Sequence, residues 1–175
     1  MKIQYLLFLL SPVLFVALIK NSVRDQFLPK QQYVKAVNTL TPEAALELAG
    51  RVNTAAAGLG KHVSLAFLDA SGTTLLILRG DGAGPHNTEA ARRKAYTALS
   101  TETSTLELLR NSELNTDTKN LNTLPELLLL SGGVPILYQG DIIGSIGVAG
   151  GGSPENDNSI AMAASIPELG ITTKK

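Results

Sequence analysis

The residues best suited to chemistry in this sequence cluster in and after one short stretch, Arg79-Gly80-Asp81-Gly82-Ala83-Gly84-Pro85-His86-Asn87. A guanidinium such as that of Arg79 can grip a carboxylate through two parallel hydrogen bonds. Asp81, two positions on, either pairs with Arg79 to brace the loop or holds a ligand with it. His86 offers a neutral imidazole, which is a metal ligand where an iron or other ion is present and a solvated ring otherwise. Lys94 and Thr97 follow one turn apart on the next helix, and a lysine stem can cover apolar surface while its head reaches an anion. These types favour recognition of a small anionic molecule over bond breaking.

Constellations for hydrolysis are thin. No G-x-S-x-G elbow and no H-E-x-x-H helix occurs, and the 2 His offer few bases. The absence of Cys removes thiolate nucleophiles, disulfides and zinc–sulfur sites together. Glu155 and Asp157 stand at a helix start, where capping accounts for them. The formal net charge is zero, without the basic stripe that marks nucleic-acid binders.

Between Gly132 and Gly152 the chain is rich in glycine. No phosphate loop of the G-x-x-x-x-G-K-[ST] type occurs, and no G-x-G-x-x-G joins a strand to a helix. Gly140 suits a hairpin turn. Gly144 and Gly147 interrupt a strand, which weakens it unless something comes close to the backbone. Close packing of a helix is the expected reason. Gly150 to Gly152 precede a helix, as a flexible exit or as a place where an anion rests on the helix N-terminus.

The elements that hold these residues alternate between helices and hairpins. Thr41 caps and Pro42 opens a helix whose apolar face is Ala45, Leu48, Ala49, Val52, Ala55, Ala56 and Leu59. His62 to Asp69 reads as a strand apolar on both faces, turning through Asp69-Ala70-Ser71-Gly72 into Thr73 to Arg79. A helix opened by Asn87 or Thr88 follows, buried through Ala91, Ala95, Ala98 and Leu99, with Tyr96 at an edge or interface. Residues 102–131 suggest two short helical turns, TLELLRNSE and LNTLPELLLL, around the polar loop NTDTKNLN. VPILYQ and DIIGSIGVA form a second hairpin through Gly140-Asp141, and Ser153 with Pro154 starts a final helix. Tight turns where a parallel sheet needs crossovers predict an α/β fold of the α+β kind, an antiparallel sheet of four or five strands with helices packed on it.

Of the 175 residues, 44% are hydrophobic and 17% charged, which suits one domain with a sizeable core after a leader. Lys2, an apolar run from Tyr5 to Ile19 and then Lys20 read as an export signal over residues 1–20. The run is shorter than the roughly 20 residues of a full span. With no clear cleavage pair, an uncleaved anchor is the alternative. Residues 21–40 are expected as a linker, 41–167 as the domain and 168–175 as a tail. The expected location is periplasmic or secreted, with or without a membrane anchor.

Two stretches resemble a known family. RGDGAGPHNTEAARRKAYTA, from Arg79 to Ala98, is similar to the R-x-D-G-A…A-x-x-K-A-x-T-A signature of the GlcG/HbpS-like haem-binding, or "haem-degrading", group. Gly132-Gly133-Val134-Pro135-Ile136, Gly140, Ile143 to Gly151, Asp157 and Ile160-Ala161 resemble its second signature. The likeness spans about Thr41 to Ser165. It departs at Gly80, Asn87 and Ala149, where the family often has Met, Ser and Ser.

The resemblance implies a profilin-like fold, homo-oligomers and, in some members, binding of haem or a related tetrapyrrole beside a membrane sensor partner. Under it the ligand pocket is walled by the loop carrying Arg79, Asp81, His86 and Asn87, by the helix of Lys94 and Thr97, and by the Gly132-Gly133-Val134-Pro135 turn. In such a pocket Arg79 would grip a haem propionate, and His86, which the family signature does not specify, is the candidate iron ligand on its own chemistry. An enzyme acting on haem or a small hydroxy acid, and a ligand-free oligomeric interaction module, are the alternatives.

Overall fold

Strand β1 (Ser64–Asp69) carries apolar side chains on both faces, so it needs cover on both sides. The computed structural model, which describes residues 35–173, supplies that cover in three layers. On one face Val63, Leu65 and Phe67 pack with Leu48, Ala49 and Val52 of helix α1 (Pro42–Gly58) and with Ile160 of a late helix. On the other face Ala66 and Leu68 meet Ala91 and Ala95 of α2 (Pro85–Thr101). The sheet between them has five antiparallel strands in the order β2-β1-β4-β3-β5, with β2 (Thr74–Leu78), β3 (Gly133–Tyr138), β4 (Asp141–Ala149) and β5 (Ile171–Thr173). This is the expected α+β architecture.

Both expected hairpins form. The second turns through Gln139 and Gly140, at φ 52° and 91°, the positive pair that matches strand twist in a two-residue turn. It lies one residue earlier than Gly140-Asp141, because Asp141 already pairs with Tyr138.

The fold reaches beyond both expected boundaries. Leu40 is buried, and its amide donates to the Ile143 carbonyl at 2.7 Å. Residues 171–173, expected in a tail, form β5 against Ile136 to Tyr138 of β3. Pro135 lies just past that pairing, where its missing N–H deprives no partner strand. The leader and most of the linker lie outside the described residues.

Helix α2 begins at Pro85 rather than at Asn87 or Thr88, because proline is pre-set for the first helical position. Its buried face is Ala91, Lys94, Ala95, Thr97 and Ala98, with Leu99 half-buried. On α1, Leu59 is exposed and Ala55 half-buried, so the apolar face is narrower than expected.

Residues 102–131 depart most from expectation. Ser104 caps α3 (Thr105–Leu114), and the polar stretch that follows is itself helical, as α4 (Thr116–Lys119) and a 3-10 turn at Asn120–Thr123. The Asn115 side chain starts α4 by accepting from the Asp117 amide at 2.9 Å. The leucine run beyond is not helical. Arg93 donates to the carbonyls of Pro125 and Leu127, each at 2.8 Å, and the Leu128 amide donates to Thr97 Oγ1 at 2.8 Å. Those bonds hold the run open along α2 while Leu127 and Leu129 bury against Leu108.

Three small residues in register, Ala66, Gly147 and Gly133, form a row across β1, β4 and β3 beneath α2. A Cβ at Gly147 would strike the Ala91 carbonyl and lie 2.7 Å from the Ala95 nitrogen; one at Gly133 would strike the Lys94 carbonyl. Ser145 Oγ, also on β4, donates to the Ala95 carbonyl at 2.8 Å. The expected helix approach therefore explains Gly147. Gly144 has a different neighbour, the Leu68 carbonyl on β1.

Because the obstacle at Gly147 is backbone, Gly147→Ala is expected to lower stability by about 3 kcal/mol, the upper end of ordinary overpacking. Gly50→Ala, in an exposed helical position with open space around it, is expected to raise stability by roughly 0.5–1 kcal/mol. Urea unfolding of the two variants measures both.

Candidate functional site

The antiparallel hairpin brings the start of β1 beside the end of β2. Leu65 pairs with Leu78, so continuing the register brings Val63 alongside Gly80 and His62 alongside Asp81, and the Gly80 amide donates to the Val63 carbonyl at 3.0 Å. A Cβ at Gly80 would lie 2.6 Å from that carbonyl, so only glycine fits without displacement. Here a cleft of about 380 Å³ opens, with Ala57, Val63 and Leu78 as apolar lining and Lys61, His62, Arg79 and Asp81 as charged or polar lining. The 79–84 loop runs from it into the first turn of α2. Gly150, after β4, lies near both the Asn87 side chain and the His62 carbonyl.

Arg79 braces the loop, but not through Asp81. Its Nε donates to the Ala83 carbonyl at 2.8 Å, and no ion pair joins it to Asp81 among the described residues. Its terminal nitrogens remain available, as does the ammonium of half-buried Lys61, which is likewise outside any ion pair described. His86 is exposed on the first turn of α2, and Asn87 beside it is half-buried.

The other expected site residues lie inside the protein. Lys94 is 1% exposed and Asp157 8%. Lys94 Nζ donates to Asp157 Oδ2 at 2.8 Å and to the Val148 carbonyl at 2.9 Å. The Gly151 amide donates to Asp157 Oδ1 at 2.7 Å. Asp157 belongs to α5 (Pro154–Ala161), whose cap is Ser153 Oγ, accepting from the Asn156 amide at 3.1 Å. The anion that Lys94 reaches is thus the protein's own carboxylate, which also occupies the glycine loop before α5. Gly132 leaves room for the pair: a Cβ there would lie 2.5 Å from the Val148 carbonyl and 2.8 Å from Asp157 Cβ. Thr97 Oγ1 is spent on the Arg93 carbonyl and the Leu128 amide. The Gly133 amide donates to Thr105 Oγ1 at 2.8 Å, and Pro135 is buried in β3.

The structure therefore brings Arg79, Asp81, His86 and Asn87 to one end of the sheet and sends Lys94, Thr97, Gly132, Gly133 and Pro135 into the interior. Sequence reasoning missed Lys61 as a cleft residue and Asp157 as the partner of Lys94. Lys61-His62 at the junction between helix end and strand start was the available signal for the first.

Against known proteins, a family profile described as "Haem degrading protein HbpS-like" matches residues 40–165. The chain belongs to the HbpS-like family. A structure of a double mutant of HbpS from Streptomyces reticuli is 38% identical, with a TM-score of 0.71, over 78% of this chain and 92% of that one. The Klebsiella pneumoniae protein ORFY superposes with a TM-score of 0.72 at 28% identity, covering 76% of this chain and 92% of that one. A PduOC:heme complex gives 0.67 at 26% identity, covering 78% and 99%. An uncharacterised 15.0 kDa protein from the dhaT-dhaS intergenic region of Citrobacter freundii is 29% identical over 130 residues, 73% of this chain and 91% of its own length.

Desolvation dominates at Lys94 and draws its pKa below the ordinary 10.5, against the attraction and hydrogen bond of Asp157. Folded protein then binds fewer protons than unfolded protein between the lowered value and 10.5, so stability attributable to Lys94 grows as pH rises through that window. The advantage of wild type over Lys94→Met is expected to widen with pH there, in parallel denaturant titrations. Asp157→Asn strands the ammonium and is expected to cost about 3–5 kcal/mol, with part recovered in the Lys94→Met/Asp157→Asn double variant.

Proposed function

We propose that this protein binds haem or a related tetrapyrrole at the end of the sheet marked by Lys61, His62, Arg79, Asp81, His86 and Asn87. The observation that carries the reading is a cleft with apolar lining edged by cations outside any ion pair described, in a chain of the HbpS-like family. The PduOC neighbour, solved as a heme complex, supports the same ligand class.

The donor chemistry at this end fits the group. Ala57, Val63 and Leu78 suit a flat apolar face, and the free terminal nitrogens of Arg79 and the ammonium of Lys61 suit propionates. His62 in the cleft and His86 on α2 each offer an imidazole that makes no hydrogen bond among the described residues, and either nitrogen can face iron. Bound haem would supply an iron centre for redox or small-ligand chemistry. The protein's own part is to hold and orient: Arg79, pinned through Nε to Ala83, presents its remaining nitrogens in a fixed direction.

Export rests on the leader sequence, Lys2 to Lys20, which lies outside the described residues, and a membrane sensor partner rests on the family resemblance alone. Self-association finds support in β2, an edge strand whose Ile77 and Leu78 stand exposed.

Haemin added to purified protein at micromolar concentration is expected to shift the Soret band. Arg79→Ala is expected to weaken binding by about tenfold, one charge-assisted contact. His86→Ala and His62→Ala, compared by their Soret positions, identify the iron ligand. An unshifted band in wild type would remove the haem reading.

A further inference from the structure

Two histidines reach the end of the sheet that the haem reading uses, and the backbone treats them differently. We propose that His62 is the iron ligand and Asp81 its positioning residue, accepting a hydrogen bond from one ring nitrogen while the other faces the metal. The inference rests on the haem reading and assigns roles within that site.

Main-chain pairing brings the two residues together. Leu65 pairs with Leu78, and the Gly80 amide continues the ladder to the Val63 carbonyl at 3.0 Å, which sets His62 opposite Asp81. Residues opposite one another in an antiparallel pair have Cβ atoms roughly 5 Å apart, within reach of an imidazole and a carboxylate. Gly80 permits the approach: a Cβ there would lie 2.8 Å from the Val63 nitrogen and 3.0 Å from the His62 carbonyl carbon. Both His62 and Asp81 line the 380 Å³ cleft, and His86 does not.

The Asp81 carboxylate is also uncommitted. Arg79, two positions away, is turned through Nε to the Ala83 carbonyl, and Asp81 makes no ion pair among the described residues. Water solvates this exposed group while the cleft is open. A flat apolar ligand covering the cleft displaces that water, and a carboxylate so covered needs a replacement donor. The imidazole N–H opposite is the donor at hand.

His86 has neither advantage. A Cβ at Gly84 would lie 2.7 Å from His86 Cε1 and 2.9 Å from Nδ1, so the ring is folded back against its own loop. The carboxylate one turn on, Glu89, accepts from Arg92 through both oxygens, at 3.0 and 2.8 Å. Metal-ligating histidines commonly pass their second nitrogen to a carboxylate, carbonyl or water, which fixes the ring and raises its basicity. A free carboxylate is placed for that role beside His62 and not beside His86.

The test loads the full chain with haemin and compares wild type with His62→Ala, His86→Ala, Asp81→Asn and Asp81→Glu. All three positions are exposed, and circular dichroism of the unloaded variants checks that each folds. The readouts are haemin affinity, reduction potential and the iron–histidine stretch in resonance Raman, recorded on the carbon monoxide photoproduct so that one protein ligand remains. His62→Ala is expected to abolish the stretch and His86→Ala to leave it in place. Asp81→Asn is expected to lower its frequency, raise the potential and weaken haemin by about tenfold. Asp81→Glu is expected to recover part of each change. Absence of the stretch from the wild-type complex, or its survival in His62→Ala, overturns His62 as the ligand. An unchanged frequency and potential in Asp81→Asn overturns the role of Asp81. In each of these cases haemin still binds wild type and the haem reading stands, whereas an unshifted wild-type Soret band removes both.

Discussion

Helix α2 lies on the sheet at backbone distance. The row Ala66, Gly147 and Gly133 presents almost no side chain, and Ala91 and Ala95 answer from the helix. Main chain therefore meets main chain, and interiors packed this closely transmit any added atom as strain. Once the helix is seated, its rotation is settled. Lys94 must then point inward, and a buried ammonium is tolerable only with a carboxylate and further hydrogen-bond acceptors around it. Asp157, the Val148 carbonyl and the space left by Gly132 meet that requirement.

The buried pair ties three elements together. Lys94 comes from α2, Val148 from β4 and Asp157 from α5, and the Gly151 amide brings in the loop between the last two. The two sequence stretches that resemble the family signatures thus meet physically, one contributing the lysine and the other the aspartate. Their charged residues divide by depth. Lys94 and Asp157 serve the frame, while Arg79, Asp81 and His86, carried past the end of β2, remain at the surface.

Much of the frame was legible in the sequence because it is local. The alternation in β1, the turn at Asp69 to Gly72 and the caps at Thr41 and Ser153 are decided within a few residues. Gly147 was legible as a close approach because a strand glycine needs a reason. The parts that were not legible depend on distant partners. Lys94 and Asp157 are 63 positions apart, so nothing near either announces the other. The leucines from 127 to 130 favour a helix on composition, yet Arg93 and Thr97 take their backbone groups and hold them open. β5 is three residues long and is a strand only because β3 offers it an edge. Of the expected site, the Arg79 loop could be read as surface because glycine, proline and aspartate favour loops. The inward half could not, since the depth of Lys94 follows from how the helix is seated.

The separation of Arg79, His62 and His86 from the glycine row has a further implication for how this architecture can diversify. The lining of the 380 Å³ cleft includes neither member of the Lys94–Asp157 pair and none of the small residues under α2. Ligand preference can therefore drift, or be engineered, one surface side chain at a time on an unchanged chassis. A change at Gly133 or Gly147 would alter every such variant at once.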